Sequence, residues 1–376
     1  MTKVNKEDIL ANLKADLDSA DTLRLDTATK VETWKKEYRG DKYGNEQKGK
    51  SAIVSKDIKR QDEWQHASLK DPFLSSTDIV KCTPITAEDR DAAYQNQLVL
   101  NYQFTRKFNR YKFITDTIKL LTTEGTVVVK TSWKYEDEEV EVEHPVYGPD
   151  IYGNPVQIGT NLVKELKVTK NCPYAETCRI EDIYMDPTCM GDMDNCQFII
   201  HRYESDLSTL RSSKIYREEA LDKVSKNLNR DAGDFENEDD TNFKFKDDPR
   251  KKIIVHEYWG NYDIEGTGIA KPIVCTWVNN VIIRLQSNPY PDKKIPFLVA
   301  CHNALPFQMT GEANAEMLGD NQKLSTAVKR GIIDNMANSN NGQKGIRKGS
   351  LDSLNRKRFL TGRNFEYNTN KQDFFE

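Results

Sequence analysis

The spacing of apolar positions along the chain predicts alternating blocks of helix and strand. Ile9, Leu10, Leu13 and Leu17 recur at helical spacing and read as a short amphipathic helix over 8–17. A second helix is predicted over 51–70, with Ile53, Val54, Ile58 and Trp64 on a broken face, ended by Asp71-Pro72. Thr77–Pro84 reads as a short strand. A helix from Thr86 to about Arg106 follows, with the threonine as its cap. Phe113, Ile114, Ile118 and Leu121 define another helix over 108–124, stopped by Gly125. From Thr126 the period changes to that of strands, Val127-Val-Val and Trp133 giving a strong one. Six carboxylates alternate with Val140 and Val142 between Glu136 and Glu143. After a Pro/Gly-rich turn the strand pattern returns at Leu162, which predicts a hairpin arm over 126–172. Further strands are predicted at 178–185, 198–204, 252–260, 273–278, 281–285 and 295–302, and a short helix from Ser205 to about Lys214. The charged stretch 231–240 reads as a loop.

From Gly311 the pattern becomes helical and stays so over 312–339. The apolar face is narrow: Met317, Leu324, Val328, Ile332 and Met336. At about 1.5 Å per residue such a helix is about 40 Å long. A thin stripe on so long a helix suits packing against copies of itself better than burial in a monomer's core.

Composition narrows the functional classes. Of 376 residues 37% are hydrophobic and 30% charged, so the chain is polar for its size and is expected to complete its burial in an assembly. It has no apolar run long enough for a membrane helix and no apolar secretory segment at its start, which predicts a soluble chain made inside the cell. The net charge of −4 excludes a generally basic nucleic-acid coat. Charge is instead local. Lys329, Arg330, Lys344, Arg347, Lys348, Arg356, Lys357, Arg358 and Arg363 are opposed over 329–363 only by Asp334 and Asp352. This basic patch can face nucleic acid, where phosphate neutralisation needs no base reading, or an acidic partner, or solvent.

Catalytic signals are absent. There is no P-loop, GxGxxG, GxSxG or HExxH, and His66, His144, His201, His256 and His302 are scattered. Cys172, Cys178, Cys189 and Cys196 lie close in sequence, but their separations lack the short pairs of a zinc site, so reduced structural thiols are expected. Asp186 and the other scattered acids carry no specific metal signature. No cofactor, no metal and no enzymatic activity are expected.

Several passages, in order, resemble portal proteins of short-tailed bacteriophages: Ser51–Val80, Pro84–Ala93, Leu100–Phe104, Thr123–Trp133, Cys178–Pro187, His201–Glu204 and Gly311–Gln322. The resemblance covers roughly 50–340. It implies an α+β fold: an N-terminal arm (1–50), a mixed helix-and-sheet wing (51–310), a stem helix (311–340) and the start of a clip (341–376). Portal chains of this kind ordinarily continue through a returning stem helix, a channel loop and a crown, which are not evident in the sequence. The resemblance further implies a ring, usually of twelve subunits, at one capsid vertex, serving as conduit for double-stranded DNA without reading its sequence. Terminase large subunit, a tail adaptor, and the major capsid and scaffolding proteins are the implied partners, with no small-molecule substrate. The implied location is the virion, with assembly in the host cytoplasm. A head-tail adaptor that binds a ready-made ring is the alternative reading.

Overall fold

The computed structural model describes residues 5–149, 155–227, 247–340, 345–346, 351–360 and 374–375. They divide into two compact units, one made of 1–36 and 60–317, the other of 37–59 and 318–376. The predicted loop at 231–240 lies outside the described residues.

The first unit is built around a five-stranded antiparallel sheet of β3 (Ile183–Met185), β4 (Phe198–Asp206), β5 (Lys252–Tyr262), β6 (Lys271–Val278) and β7 (Val281–Ser287), in that order. The β6–β7 hairpin turns at Asn279, which adopts a positive φ of 51°. Asparagine tolerates this conformation better than most residues do. One face of the sheet packs on Ile9, Leu10, Leu13 and Ala20 of helix α1 (Lys6–Arg39), which meet Tyr184, Phe198, Ile200, Tyr258 and Trp277 in one core. The short helix expected over 8–17 is therefore only the beginning of a 34-residue helix. Its later turns have a polar composition that conceals helix, yet they bury Val31 and Trp34. On a second core, α5 (Leu207–Ser212) and α6 (Glu218–Asn227) bring Leu207, Leu210, Leu221 and Val224 against Ile253, Val255, Val278 and Ile283.

A row of paired residues, His201, Glu257, Thr276 and Arg284, crosses strands β4 to β7 on one face of the sheet. Lys130 of strand β1 (Thr126–Pro149) reaches it and pairs with Glu257, while the Arg284 guanidinium lies 3.8 Å from the same carboxylate. Burial alone would lower the Lys130 pKa and raise that of Glu257, but each holds the other charged: the lysine stands above its ordinary value and the glutamate below. His201 packs between the rings of Tyr203 and Phe297. Burial, reinforced by Lys130 and opposed by Glu257, brings His201 down to about 3 from 6.5.

The histidine is thus neutral in the fold but takes a proton in the unfolded chain below pH 6.5. Stability attributable to it falls as pH drops through that window, because the unfolded state binds more protons. His201→Phe keeps a ring in place and removes the titration. Unfolding free energies from urea titrations are expected to fall less steeply with decreasing pH in this variant, by about 1.4 kcal/mol per pH unit between about pH 6 and pH 4. An unchanged slope contradicts this.

The predicted arm is present and longer than expected. Strand β1 pairs antiparallel with β2 (Pro155–Cys178) from Val128–Cys178 out to Pro149–Pro155. Only its root, Thr126–Lys130, is also paired with β8 (Phe297–Cys301). Beyond that root the hairpin is a two-stranded ribbon with no buried residue over 133–145 or 159–171.

Three local expectations are corrected. The second helix, α2 (Asp57–Leu74), starts later and runs through Pro72. At its end Ser75 N completes the helical bond to Asp71 O, and the Arg110 guanidinium donates to Leu74 O at 2.8 Å. Thr86 does not cap a helix; its hydroxyl donates to Asp89, and α3 (Arg90–Tyr102) begins after that residue, followed by a π-helical turn over Gln103–Lys107. Residues 77–84 form no strand. The amides of Ile79, Val80 and Cys82 are instead satisfied by the side chains of Asn101 and Gln97. The Gly125 stop stands as expected: it ends α4 (Arg110–Glu124) with φ 73°.

Candidate assembly interface

Helix α7 spans Asn314–Asn340, close to its predicted limits. It is amphipathic in an inverted sense. In the second unit its inward side is polar: Gln322 and Thr326 are almost fully buried. Gln322 Oε1 accepts from the Ile58 amide at 3.0 Å and its Nε2 donates to Glu37 O at 2.9 Å. The Thr326 hydroxyl accepts from the Ser55 amide at 3.0 Å and donates to Gln322 O. The helix thus binds the backbone of the 37–59 segment by hydrogen bonds, which keeps its buried polar groups satisfied.

The apolar stripe of the same helix points outward. Met317, Leu324, Val328, Ile332 and Met336 are between 51% and 66% exposed, and Ile333 beside them is exposed too. Five apolar residues along one face of a helix, left at least half exposed by the described residues, form the kind of contiguous patch that marks an interaction surface.

The basic residues predicted from the sequence divide into three groups. Lys329 and Arg330 are held within the second unit: Lys329 bonds the Ser55 hydroxyl and lies 3.5 Å from Asp57, and Arg330 bonds Ile53 O, Asn45 and Glu46. They fix the 45–57 segment to α7, and their charge is already matched. Arg356, Lys357 and Arg358 are exposed on α8 (Ser353–Leu360). Lys344, Arg347, Lys348 and Arg363 lie outside the described residues. Downstream, Gly345–Ile346 pairs antiparallel with Phe374–Phe375.

The cysteine cluster does not form a ligand set. Among the described residues no group of three or more His, Cys, Asp or Glu side chains is placed to hold a metal ion. All seven thiols are free. Burial raises Cys178 and Cys196 to about 12, so both are protonated. Cys196 donates to Phe198 O at 3.1 Å as a packed core thiol would. No helix among the described residues is long and apolar enough to cross a membrane.

A long helix that turns its apolar stripe outward defines a chain built to associate, and an α+β unit with a projecting hairpin precedes it. A family model described as the phage SU10 portal protein matches residues 9–376, nearly the whole chain. The chain belongs to this family of phage portal proteins. It is a portal subunit, a structural component of the oligomeric ring at a capsid vertex that serves DNA packaging and meets capsid, terminase and tail components.

Sequence reasoning located the stripe but not the polar side opposite it. Glutamine and threonine at helical spacing read as solvent-facing, and only their partners, more than 260 residues away in sequence, reveal the burial.

Proposed function

We propose that the α7 stripe of Met317, Leu324, Val328, Ile332 and Met336 is the contact along which subunits join into a ring of twelve. The observation that supports it most is the outward orientation of that stripe on a helix whose other side buries Gln322 and Thr326 in hydrogen bonds to the 37–59 segment. Covering each half-exposed side chain stabilises the ring by roughly 1 kcal/mol, half the range for full burial. Repeated along the helix and around a closed ring, such contacts need no large individual strength.

In this reading Arg356, Lys357 and Arg358, together with Lys344, Arg347, Lys348 and Arg363, form the basic surface that meets the phosphate backbone of double-stranded DNA in the channel, or an acidic docking partner at its mouth. Contact with DNA would be independent of sequence and would weaken steeply with salt. Lys329 and Arg330 serve this surface indirectly, by anchoring the segment beside α7. The specific partners are the terminase large subunit during packaging, a tail adaptor afterwards, and the major capsid and scaffolding proteins at the vertex, with assembly in the host cytoplasm. The chain performs no catalysis in this reading and takes no small-molecule substrate.

Leu324→Asp with Ile332→Asp tests the stripe. Both positions are exposed in the single chain, so its fold and melting temperature are expected to stay close to wild type. Subunit association is expected to weaken by at least about a hundredfold, from roughly 1.4 kcal/mol or more at each position. Mass photometry would read this as loss of the ring peak. Rings at wild-type abundance would exclude the stripe as the contact.

A further inference from the structure

Two other elements of the first unit expose faces that the described residues leave uncovered, and their chemistry is opposite. The first is the distal part of the ribbon. The register sets Asp137 opposite Val168, Glu139 opposite Leu166, Glu141 opposite Lys164 and Glu143 opposite Leu162. Directly paired residues share a face. That face therefore carries four carboxylates along β1 and, along β2, an apolar row of Leu162, Leu166 and Val168 with Lys164 between the two leucines, a net charge of −3. The three apolar side chains are 66%, 66% and 47% exposed. None of the four carboxylates has a lysine or arginine within salt-bridge distance among the described residues. On the same ribbon, by contrast, Glu136 pairs with both Lys134 and Lys170.

The second element is α3, a 13-residue helix with no buried residue. Helices of this length draw most of their stability from tertiary packing. Its Tyr94, Leu98 and Tyr102 recur every fourth residue on one exposed face, and Val99 is exposed beside them. The chain then runs through Arg106, Lys107 and Lys112, all exposed, with no carboxylate over 102–115. An apolar stripe with a basic end is the complement of an apolar row with an acidic flank.

The ribbon is rooted beside its own α3. Thr131, Pro173 and Tyr174 at its base line an apolar pocket of about 240 Å³ together with Leu100, Phe104 and Phe108. At roughly 3.4 Å per residue, Glu143 lies up to about 37 Å further along the ribbon than Ser132. The acidic face is thus carried away from the α3 of the same chain. A two-stranded ribbon is at best marginally stable alone in water, so this length of hairpin needs a neighbour. In a ring, each subunit meets the next through two different patches of one chain, which must be mutually complementary.

We infer that the acidic, apolar face of the ribbon of one subunit docks on the α3 stripe and the adjoining basic residues of the next. The occupant of both faces is a second copy of this chain. The pairing rests on the ring assembly stated above and adds to it a contact separate from α7.

Charge reversal tests it. Three proteins are compared with wild type by mass photometry: Glu139→Lys/Glu141→Lys/Glu143→Lys, Arg106→Glu/Lys107→Glu/Lys112→Glu, and the chain carrying all six changes. Facing like charges across an interface are strongly unfavourable. Each triple variant is expected to lower the ring fraction at least about tenfold, and the sixfold variant to recover most of it. Mixing a Leu166→Cys chain with a Tyr102→Cys chain under mild oxidation is expected to give a disulfide-linked pair joining those positions, absent when either is oxidised alone. Triple variants that assemble as wild type, a sixfold variant no better than the worse triple, or rings without the cross-link would each overturn the pairing and leave the ring itself standing. Wild-type protein that stays monomeric would contradict the ring, and the pairing with it.

Discussion

Lys130→Met is expected to destabilise the first unit by about 3–5 kcal/mol, among the largest effects of any single change in this chain. The lysine side chain is 14% exposed and that of Glu257 6%, so their removal from water is nearly complete. Methionine fills the space of the lysine stem but leaves the carboxylate with only Arg284, whose NH1 is 3.8 Å away. The ring faces of Tyr203 and Phe297, which also meet the lysine ammonium, attract a cation and not a carboxylate. Urea unfolding followed through the buried tryptophans of this unit, Trp34, Trp259 and Trp277, would show the loss as a lower midpoint. The pH dependence should change with it. Glu257 has a depressed pKa in the fold, so its stabilisation is present above the ordinary glutamate value and is lost as pH falls through the folded value. The variant, lacking the ion pair that depresses that pKa, should therefore gain on wild type as pH falls. A destabilisation under about 1 kcal/mol would mean that the pair carries little of the unit's stability.

Gly125→Ala is expected to cost a similar amount for a different reason. The residue has φ 73°, where a Cβ is penalised by roughly 1–2 kcal/mol. The added carbon would also stand 2.6 Å from Ala313 N, Glu312 C and Gly311 O, which are backbone atoms and cannot swing aside. The Gly125 carbonyl accepts from the His302 amide at 2.8 Å, and the Thr126 hydroxyl accepts from the Gly311 amide at 2.8 Å. Displacing this junction breaks the seam that ties α4 and β1 to the residues leading into α7. We expect a total loss of about 3–5 kcal/mol. Calorimetry on Gly125→Ala beside Gly331→Ala provides the comparison, since a Cβ at Gly331 meets nothing within 4 Å. Equal melting temperatures in the two variants would refute the packing argument.

The strands and the hairpin arm were legible because β-branched and aromatic residues cluster there with turn residues between them. Gly125 was legible as a helix stop from its position after Leu121 and Glu124, although the close backbone approach that makes it indispensable was not. The outward stripe of α7 was legible in its spacing. The length of α1 was not, because residues such as Thr27, Thr29 and Thr33 weaken the helical signal. In the fold their hydroxyls bond the carbonyls four residues back, within the helix itself. Nor was the end of α2 legible, since the donor to its Leu74 carbonyl is Arg110, well separated in sequence. The Lys130–Glu257–Arg284 group was invisible for the same reason: its members are placed together only by the pairing of β5, β6 and β7 and the approach of β1. In the basic patch, sequence gives the charge but not its partners, so Lys329 and Arg330 could not be separated there from residues such as Arg356.

The mass of the purified wild-type chain in solution, measured by mass photometry over a range of protein concentration and salt, tests the central claim most directly. The account predicts one dominant closed species of twelve subunits whose abundance persists at salt concentrations that screen surface charge, because α7 contributes apolar contacts. A chain that remains monomeric at every concentration would contradict it.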